Sequence, residues 1–145
     1  MTLVRIEDLT IDGILEGISF DISRGERLGL IGESGSGKSM TALTIMGLLD
    51  ERLTPRGTVT LDGTDMIKSL PRVKRKLRGR KVSMIFQEPM TALDPTMRVG
   101  RQIAEVIALH DQRAGKRSTV VEELTRVGFT QPERVADSYP HQLSG

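Results

Sequence analysis

The chain has 145 residues, 37% of them hydrophobic and 28% charged, with a formal net charge of +2. These values are typical of a globular protein with one core, and they exclude an intrinsically disordered chain. The absence of cysteine excludes disulfides and thiolate metal sites. No apolar run approaches the length of about 18 residues that a membrane-spanning helix needs.

The first 31 residues predict three strands. Apolar residues between positions 3 and 9 indicate the first, and the alternation from Ile18 to Ile22 indicates a second, half-buried strand. Ser23–Glu26 predicts a turn because it combines glycine with polar residues. Arg27–Ile31 is short and largely apolar, which favours a buried parallel strand.

Residues 32–39 follow the pattern G-x-x-x-x-G-K-[ST] of the phosphate-binding P-loop. Its glycines let the backbone approach phosphates closely, and successive N–H groups form a nest for an anion. Lys38 would reach the β- and γ-phosphates, and Ser39 would ligate Mg²⁺. A helix rich in Ala, Leu, Ile and Met is predicted to follow. The predicted nucleotide-binding residues are Gly32, Glu33, Ser34, Gly35, Ser36, Gly37, Lys38, Ser39 and Met40.

The middle of the chain predicts a hairpin and a basic helix. Thr58–Leu61 indicates a strand, and Asp62-Gly63 is a hairpin turn signal. Residues 68–81 contain eight basic residues and no acid. One interpretation is a patch for nucleic acid or anionic lipid. The favoured one is a solvated helix whose buried face carries Leu70, Val73 and Leu77, since no aromatic residue is present to stack on bases.

The remaining elements are a strand and two helices. Val82–Phe86 is apolar and β-rich, which predicts a buried strand. Apolar residues at helical spacing follow Val99. Thr119–Glu122 matches a capping box and predicts the start of the last helix.

Four segments in order resemble the ATP-binding subunits of ABC transporters, in the dipeptide, oligopeptide and nickel importer branch. They are the P-loop, Val82–Pro89, Met90–Glu105 and Tyr139–Gly145. The resemblance implies an α/β P-loop NTPase fold of ABC type. It also implies a β-rich P-loop core over about 1–86, and a Q-loop and helical subdomain over 87–145.

This resemblance also implies chemistry and partners. ATP and Mg²⁺ would be the cofactors, with Ser39 and Gln87 near the metal and Gln87 in a catalytic role in the Q-loop. An amide suits that role because it offers a donor and an acceptor without charge. Expected partners are a second ATP-binding subunit, transmembrane permease subunits and, indirectly, a substrate-binding protein. No nucleic acid is expected, and the location would be the cytoplasmic face of the membrane.

Two departures from the family pattern matter. The signature L-S-G-G-Q is present only as Leu143-Ser144-Gly145, and no Walker B strand, catalytic glutamate or switch histidine follows. The 145 residues alone are therefore expected to bind ATP without turnover. The approximate position of the family's adenine-stacking aromatic is near Ile11, within Leu9–Gly13, but no aromatic residue occurs before Phe20. Either an aliphatic contact replaces the stack or the base is held loosely. A soluble ABC ATPase of repair or translation is the alternative, which the segment after Gln87 disfavours.

Overall fold

The computed structural model describes residues 1–87, 92–110 and 116–143. The chain divides into two compact units, Met1–Met84 and Ile85–Gly145. Of the segments that carry the family resemblance, residues 88–91 and the signature residues Ser144 and Gly145 lie outside the described residues. Among the helices that are described, none is both long and apolar enough to cross a bilayer.

The first unit is a four-stranded antiparallel sheet with two helices. The strands are β1 (Thr2–Ile11), β2 (Leu15–Ser23), β3 (Arg56–Leu61) and β4 (Thr64–Asp65), in the order β2-β1-β3-β4. Helix α1 (Lys38–Met46) lies between β2 and β3 in the chain, and α2 (Pro71–Leu77) follows β4. The fold therefore mixes strands and helices, as the P-loop resemblance implies.

The core of this unit lies on one face of the sheet, with β1 at its centre. Val4 and Ile6 are buried, and so are Leu9 and Ile11. In a regular strand, side chains at even and odd positions would point to opposite faces of the sheet. An irregularity in the register between Ile6 and Leu9 restores the inward direction, and Asp8 lies there at φ 52°. An extra residue of this kind shifts the alternation of side chains by one. The buried cluster consists of Val4, Ile6, Leu9, Ile11, Leu15, Val59, Leu61 and Met66.

Three strand predictions are confirmed: those for β1, β2 and β3. The turn after β3 also forms as predicted, with Asp62 at φ 48° and Gly63 at φ 79°. Positive φ at both central residues is the hairpin geometry that matches strand twist. The Asp62 N–H donates to the Leu3 carbonyl at 2.8 Å, which joins this turn to the start of β1.

The predictions of two further strands, Arg27–Ile31 and Val82–Phe86, are wrong. Arg27–Ile31 forms no strand and is exposed throughout, with Ile31 fully exposed. Val82–Phe86 makes only an isolated bridge, from Val82 to Arg78, and Ile85 is 93% exposed. No described strand pairs with either segment, so their backbone groups have no ladder to join.

The second unit is helical. It contains α3 (Val99–His110), α4 (Arg117–Arg126), α5 (Pro132–Asp137) and a 3₁₀ turn at Pro140–Gln142. Buried Val120, Leu124 and Ala136 form its core. Gly100 allows α3 to approach α5, because a Cβ there would lie 2.7 Å from the Ala136 carbonyl oxygen.

Two helix predictions need correction. Helix α4 begins at Arg117 and not at Thr119, and its N-cap residue Lys116 makes no side-chain capping hydrogen bond, so the predicted capping box is absent. Helix α2 was predicted to bury Leu70, Val73 and Leu77. It contains no buried residue, and only Leu77 packs, partly buried, against the sheet core.

Candidate functional site

The P-loop leads directly into α1, and glycine geometry shapes the junction. Gly35 and Gly37 have φ values of 84° and 83°, in the left-handed region that other L-residues rarely adopt. Gly37 is the N-cap of α1, and its carbonyl accepts from the Thr41 N–H at 2.9 Å and from the Thr41 hydroxyl at 3.2 Å. Buried Thr41, Thr44 and Met46 hold the helix in place.

The loop is packed tightly on itself and on the sheet. A Cβ at Gly32 would lie 2.6 Å from the Ser36 hydroxyl oxygen, so the two ends of the loop approach closely. A Cβ at Gly37 would lie 3.0 Å from the Ile14 carbonyl oxygen and would overlap the Leu15 side chain. The start of α1 therefore rests directly on the turn between β1 and β2.

Lys38 folds back over its own loop. Its ammonium donates to the Gly32 carbonyl at 2.8 Å, to the Glu33 carbonyl at 2.6 Å and to the Ser36 hydroxyl at 3.2 Å. A positive charge is thereby fixed within the arc of residues 32–36, all of which are exposed. This arrangement places a cation and a glycine-rich backbone where an oxyanion can reach both.

The residues present fit a nucleoside triphosphate with Mg²⁺. Ser39 lies exposed one residue after the lysine, so its hydroxyl is accessible to a cation. No group of three His, Cys, Asp or Glu residues that could hold a metal occurs among the described residues. Mg²⁺ bound mainly through phosphates and waters needs no such group.

Two predicted site residues have other surroundings. Met40 is half-buried and packs against the sheet core. Ile11, near which the family's stacking aromatic would fall, is only 1% exposed, so its own side chain offers no face to a base. Burial follows from the shifted alternation of β1, which turns Ile11 into the core. A contact from a neighbouring aliphatic residue and a loosely held base stay predictions.

Gln87 belongs to the second unit, where its side chain is exposed. The P-loop belongs to the first unit.

A cavity of about 440 Å³ borders the turn that supports the P-loop, and sequence reasoning missed it. Arg56 donates to the two carboxylate oxygens of Asp12 at 3.0 and 2.5 Å, and this bidentate pairing lowers the pKa of Asp12. A fixed guanidinium plane can stack on an aromatic ring. These two residues are 44 positions apart, so only the pairing of β1 with β3 reveals them. The lining residues are Thr10, Asp12, Gly13, Ile14, Leu15, Glu16 and Arg56.

Comparison with known proteins yields one family and many relatives. Residues 15–145 match the family model described as "ABC transporter". Aligned over 154 positions, the chain is 40% identical to the oligopeptide transport ATP-binding protein OppD of Mycobacterium tuberculosis, covering 99% of this chain and 25% of the relative.

Two further relatives are similar over most of the chain. The oligopeptide transport ATP-binding protein AppD of Bacillus subtilis is 44% identical over 90% of the chain and 41% of the relative. The metal-staphylopine import system ATP-binding protein CntD of Staphylococcus aureus is 36% identical over 100% of the chain and 56% of the relative. The chain thus spans between about a quarter and just over half of these relatives.

Proposed function

Because the chain belongs to the ABC transporter family, among the ATP-binding proteins of its peptide-importer branch, we propose that it serves as the ATP-binding subunit of an importer. Its cargo would be dipeptides, oligopeptides or nickel. The names of several relatives support peptides, and the name of the metal-staphylopine import system relative supports metal import as the alternative. The single observation that carries ATP binding is the glycine-bounded loop with the Lys38 ammonium held inside it.

The residues of the loop would divide the work of binding. Lys38 would exchange its bonds to the Gly32 and Glu33 carbonyls for bonds to phosphate oxygens. Backbone N–H groups of the predicted binding residues, Gly32 to Met40, would hold the phosphates, and Ser39 would ligate Mg²⁺. When bound, ATP and Mg²⁺ supply the transferable phosphoryl group and the neutralising cation.

Coupling to transport is proposed for Gln87 and for the expected partners. Gln87, exposed in the second unit, would contact Mg²⁺ and the permease. A second ATP-binding subunit and transmembrane permease subunits complete the proposed assembly, with a substrate-binding protein acting indirectly. Its location would be peripheral, on the cytoplasmic face of the membrane.

Substitution of Lys38 tests ATP binding. Lys38→Ala removes a charge-assisted contact worth about 1.5–3 kcal/mol, so the affinity for Mg-ATP should fall more than about tenfold. Isothermal titration calorimetry measures this, with Lys76→Ala as a control that removes an exposed lysine from the same unit. Equal affinities of the wild type and Lys38→Ala would contradict the P-loop assignment.

We also propose that the 145 residues alone bind ATP without hydrolysing it, because the resemblance assigns none of them as the general base. A phosphate-release assay on the purified chain should show no rate above background. Turnover that disappears in Lys38→Ala, measured in the same preparation, would overturn this proposal.

A further inference from the structure

The segment of residues 68–81, called here the basic segment, has more exposed surface than its sequence pattern predicts. It contains α2 and both flanks of that helix. Leu70 is 56% exposed and Val73 36% exposed, so the apolar face that favoured a packed, solvated helix is largely uncovered. The buried apolar face that the solvated-helix interpretation assumed is therefore not formed by Leu70 and Val73, and the absence of aromatic residues argues only against nucleic acid.

Three of the eight basic residues have a local role. Lys81 pairs with Asp62 at 2.8 Å. Lys74 donates to the Ile67 carbonyl at 3.0 Å while its side chain covers Gly47. Arg78 donates to the Gly47 carbonyl at 3.2 Å. These contacts attach the segment to the first unit and hold α2 in place.

The other five basic residues are exposed, and none of them forms an ion pair with a described residue. Within residues 1–87, 92–110 and 116–143, no carboxylate lies within the 4.0 Å distance of an ion pair from any of them. Three of them, Arg72, Arg75 and Lys76, lie on α2 itself. The five residues are Lys68, Arg72, Arg75, Lys76 and Arg80.

We propose that the basic segment is a contact surface for anionic lipid headgroups at a membrane. Several exposed cations close together in sequence, with no ion pair to any described carboxylate, attract such headgroups electrostatically. Exposed Leu70, at the N-terminal end of α2, adds an apolar side chain that can enter the headgroup region. A nucleic acid fits less well, because residues 68–81 include no aromatic side chain to stack on bases.

Vesicle flotation tests the surface directly. The 145-residue chain is mixed with phosphatidylcholine vesicles that contain phosphatidylserine, or with pure phosphatidylcholine vesicles, and is floated on a density gradient. We expect binding only to the anionic vesicles, with an affinity that falls as salt is added. Each cation removed should weaken binding about fivefold, so the triple variant Arg72→Gln/Arg75→Gln/Lys76→Gln should lose about a hundredfold.

The control variant changes the same charge elsewhere. Arg101→Gln/Arg126→Gln/Arg134→Gln removes three exposed arginines from the second unit and should bind vesicles as the wild type does. Equal losses in both variants would show that only net charge matters and would overturn the proposal. Circular dichroism confirms that both variants are folded, so the outcome of this test does not depend on the proposed nucleotide function.

The same preparations are offered random-sequence double-stranded DNA. Failure to bind anionic vesicles, or binding to DNA that the α2 variant loses while vesicle binding persists, would overturn the lipid assignment. Leu70→Gln sharpens the result. It should weaken vesicle binding severalfold and leave its salt dependence unchanged, because it removes apolar contact and no charge.

Discussion

Strand β1 and the segment Arg27–Ile31 have similar apolar patterns and opposite outcomes. Ile6 in β1 is 1% exposed, whereas Ile31 is 100% exposed. Strand β1 pairs with β2 on one side and with β3 on the other. No described strand lies beside Arg27–Ile31. An apolar run therefore becomes a buried strand only where a neighbour supplies both hydrogen bonds and a covering layer.

The two regions differ in how their neighbours are reached along the chain. Only residues 12–14 separate β1 from β2, so their antiparallel pairing is local. A parallel strand needs a crossover connection of a dozen or more residues to meet its partner. The sequence of a strand therefore does not indicate which parallel partner, a dozen or more residues away, it will pair with.

The largest expected effect separates the two isoleucines. Ile6→Ala should lower the free energy of unfolding by about 2–5 kcal/mol, because it leaves a cavity in the core. Ile31→Ala, the same change at a fully exposed position, should alter it by less than about 0.5 kcal/mol. Urea denaturation followed by circular dichroism measures both. Similar losses would mean that Ile31 is buried in solution.

A pair of glycines sharpens the same contrast. Gly57 is the second residue of β3 and has a φ of 96°, and a Cβ there would lie 2.5 Å from the Glu7 carbonyl oxygen. Gly57→Ala should therefore cost about 1–3 kcal/mol in unfolding free energy. Gly29, in the unpaired segment, has nothing within 4 Å of such a Cβ, so Gly29→Ala should be neutral or slightly stabilising. The denaturant midpoints of the two variants measure this. A lower midpoint for Gly29→Ala than for the wild type would contradict the open space around Gly29.

The smallest effect concerns the ion pair that joins the ends of β1 and β3. The hydrogen bonds from Arg56 hold the pKa of Asp12 below its usual 3.8, so the pair stabilises the fold above that pH. This stabilisation is lost as the pH falls through the lowered pKa. Arg56→Gln should therefore unfold at a lower temperature than the wild type at neutral pH, with the difference vanishing in acid.

Arg27→Gln makes the matched change in the unpaired segment. No described carboxylate pairs with Arg27, so its melting temperature should follow the wild type across the pH range. A difference between Arg56→Gln and the wild type that persists in strong acid, after the pH has fallen through the lowered pKa of Asp12, would show that the Asp12 carboxylate is not the cause.

Local patterns were enough to predict β1, β2, β3, the turn at Asp62-Gly63 and the helix that follows the P-loop. Each depends on residues close in sequence or on one alternation. The start of α4 was misjudged because Thr119 resembles a cap although the helix already begins at Arg117. Leu70 and Val73 were wrongly assigned to a buried face, since periodicity gives a direction but not a partner.

The candidate site divides in the same way. The P-loop could be predicted because its function requires glycines and a lysine at fixed spacing in one short segment. The cavity at Arg56 and Asp12 could not, because its residues meet only through sheet pairing. The position of the family's adenine-stacking aromatic was placed near Ile11 from the sequence alone, which does not reveal the irregularity at Asp8 that buries Ile11. The roles of Gln87 and of the individual loop residues stay predictions.

The close contact of Gly37 with Leu15 limits which residues the fold can accept at these two positions. A methyl group at position 37 would overlap the Leu15 side chain, so variation at the two positions is coupled. A random library at position 37 should return glycine while Leu15 is kept. Pairing that library with smaller residues at position 15 relieves the overlap, but the φ of 83° still penalises every side chain. The start of α1 is thus constrained twice, once by space and once by backbone conformation, before any nucleotide imposes its own selection.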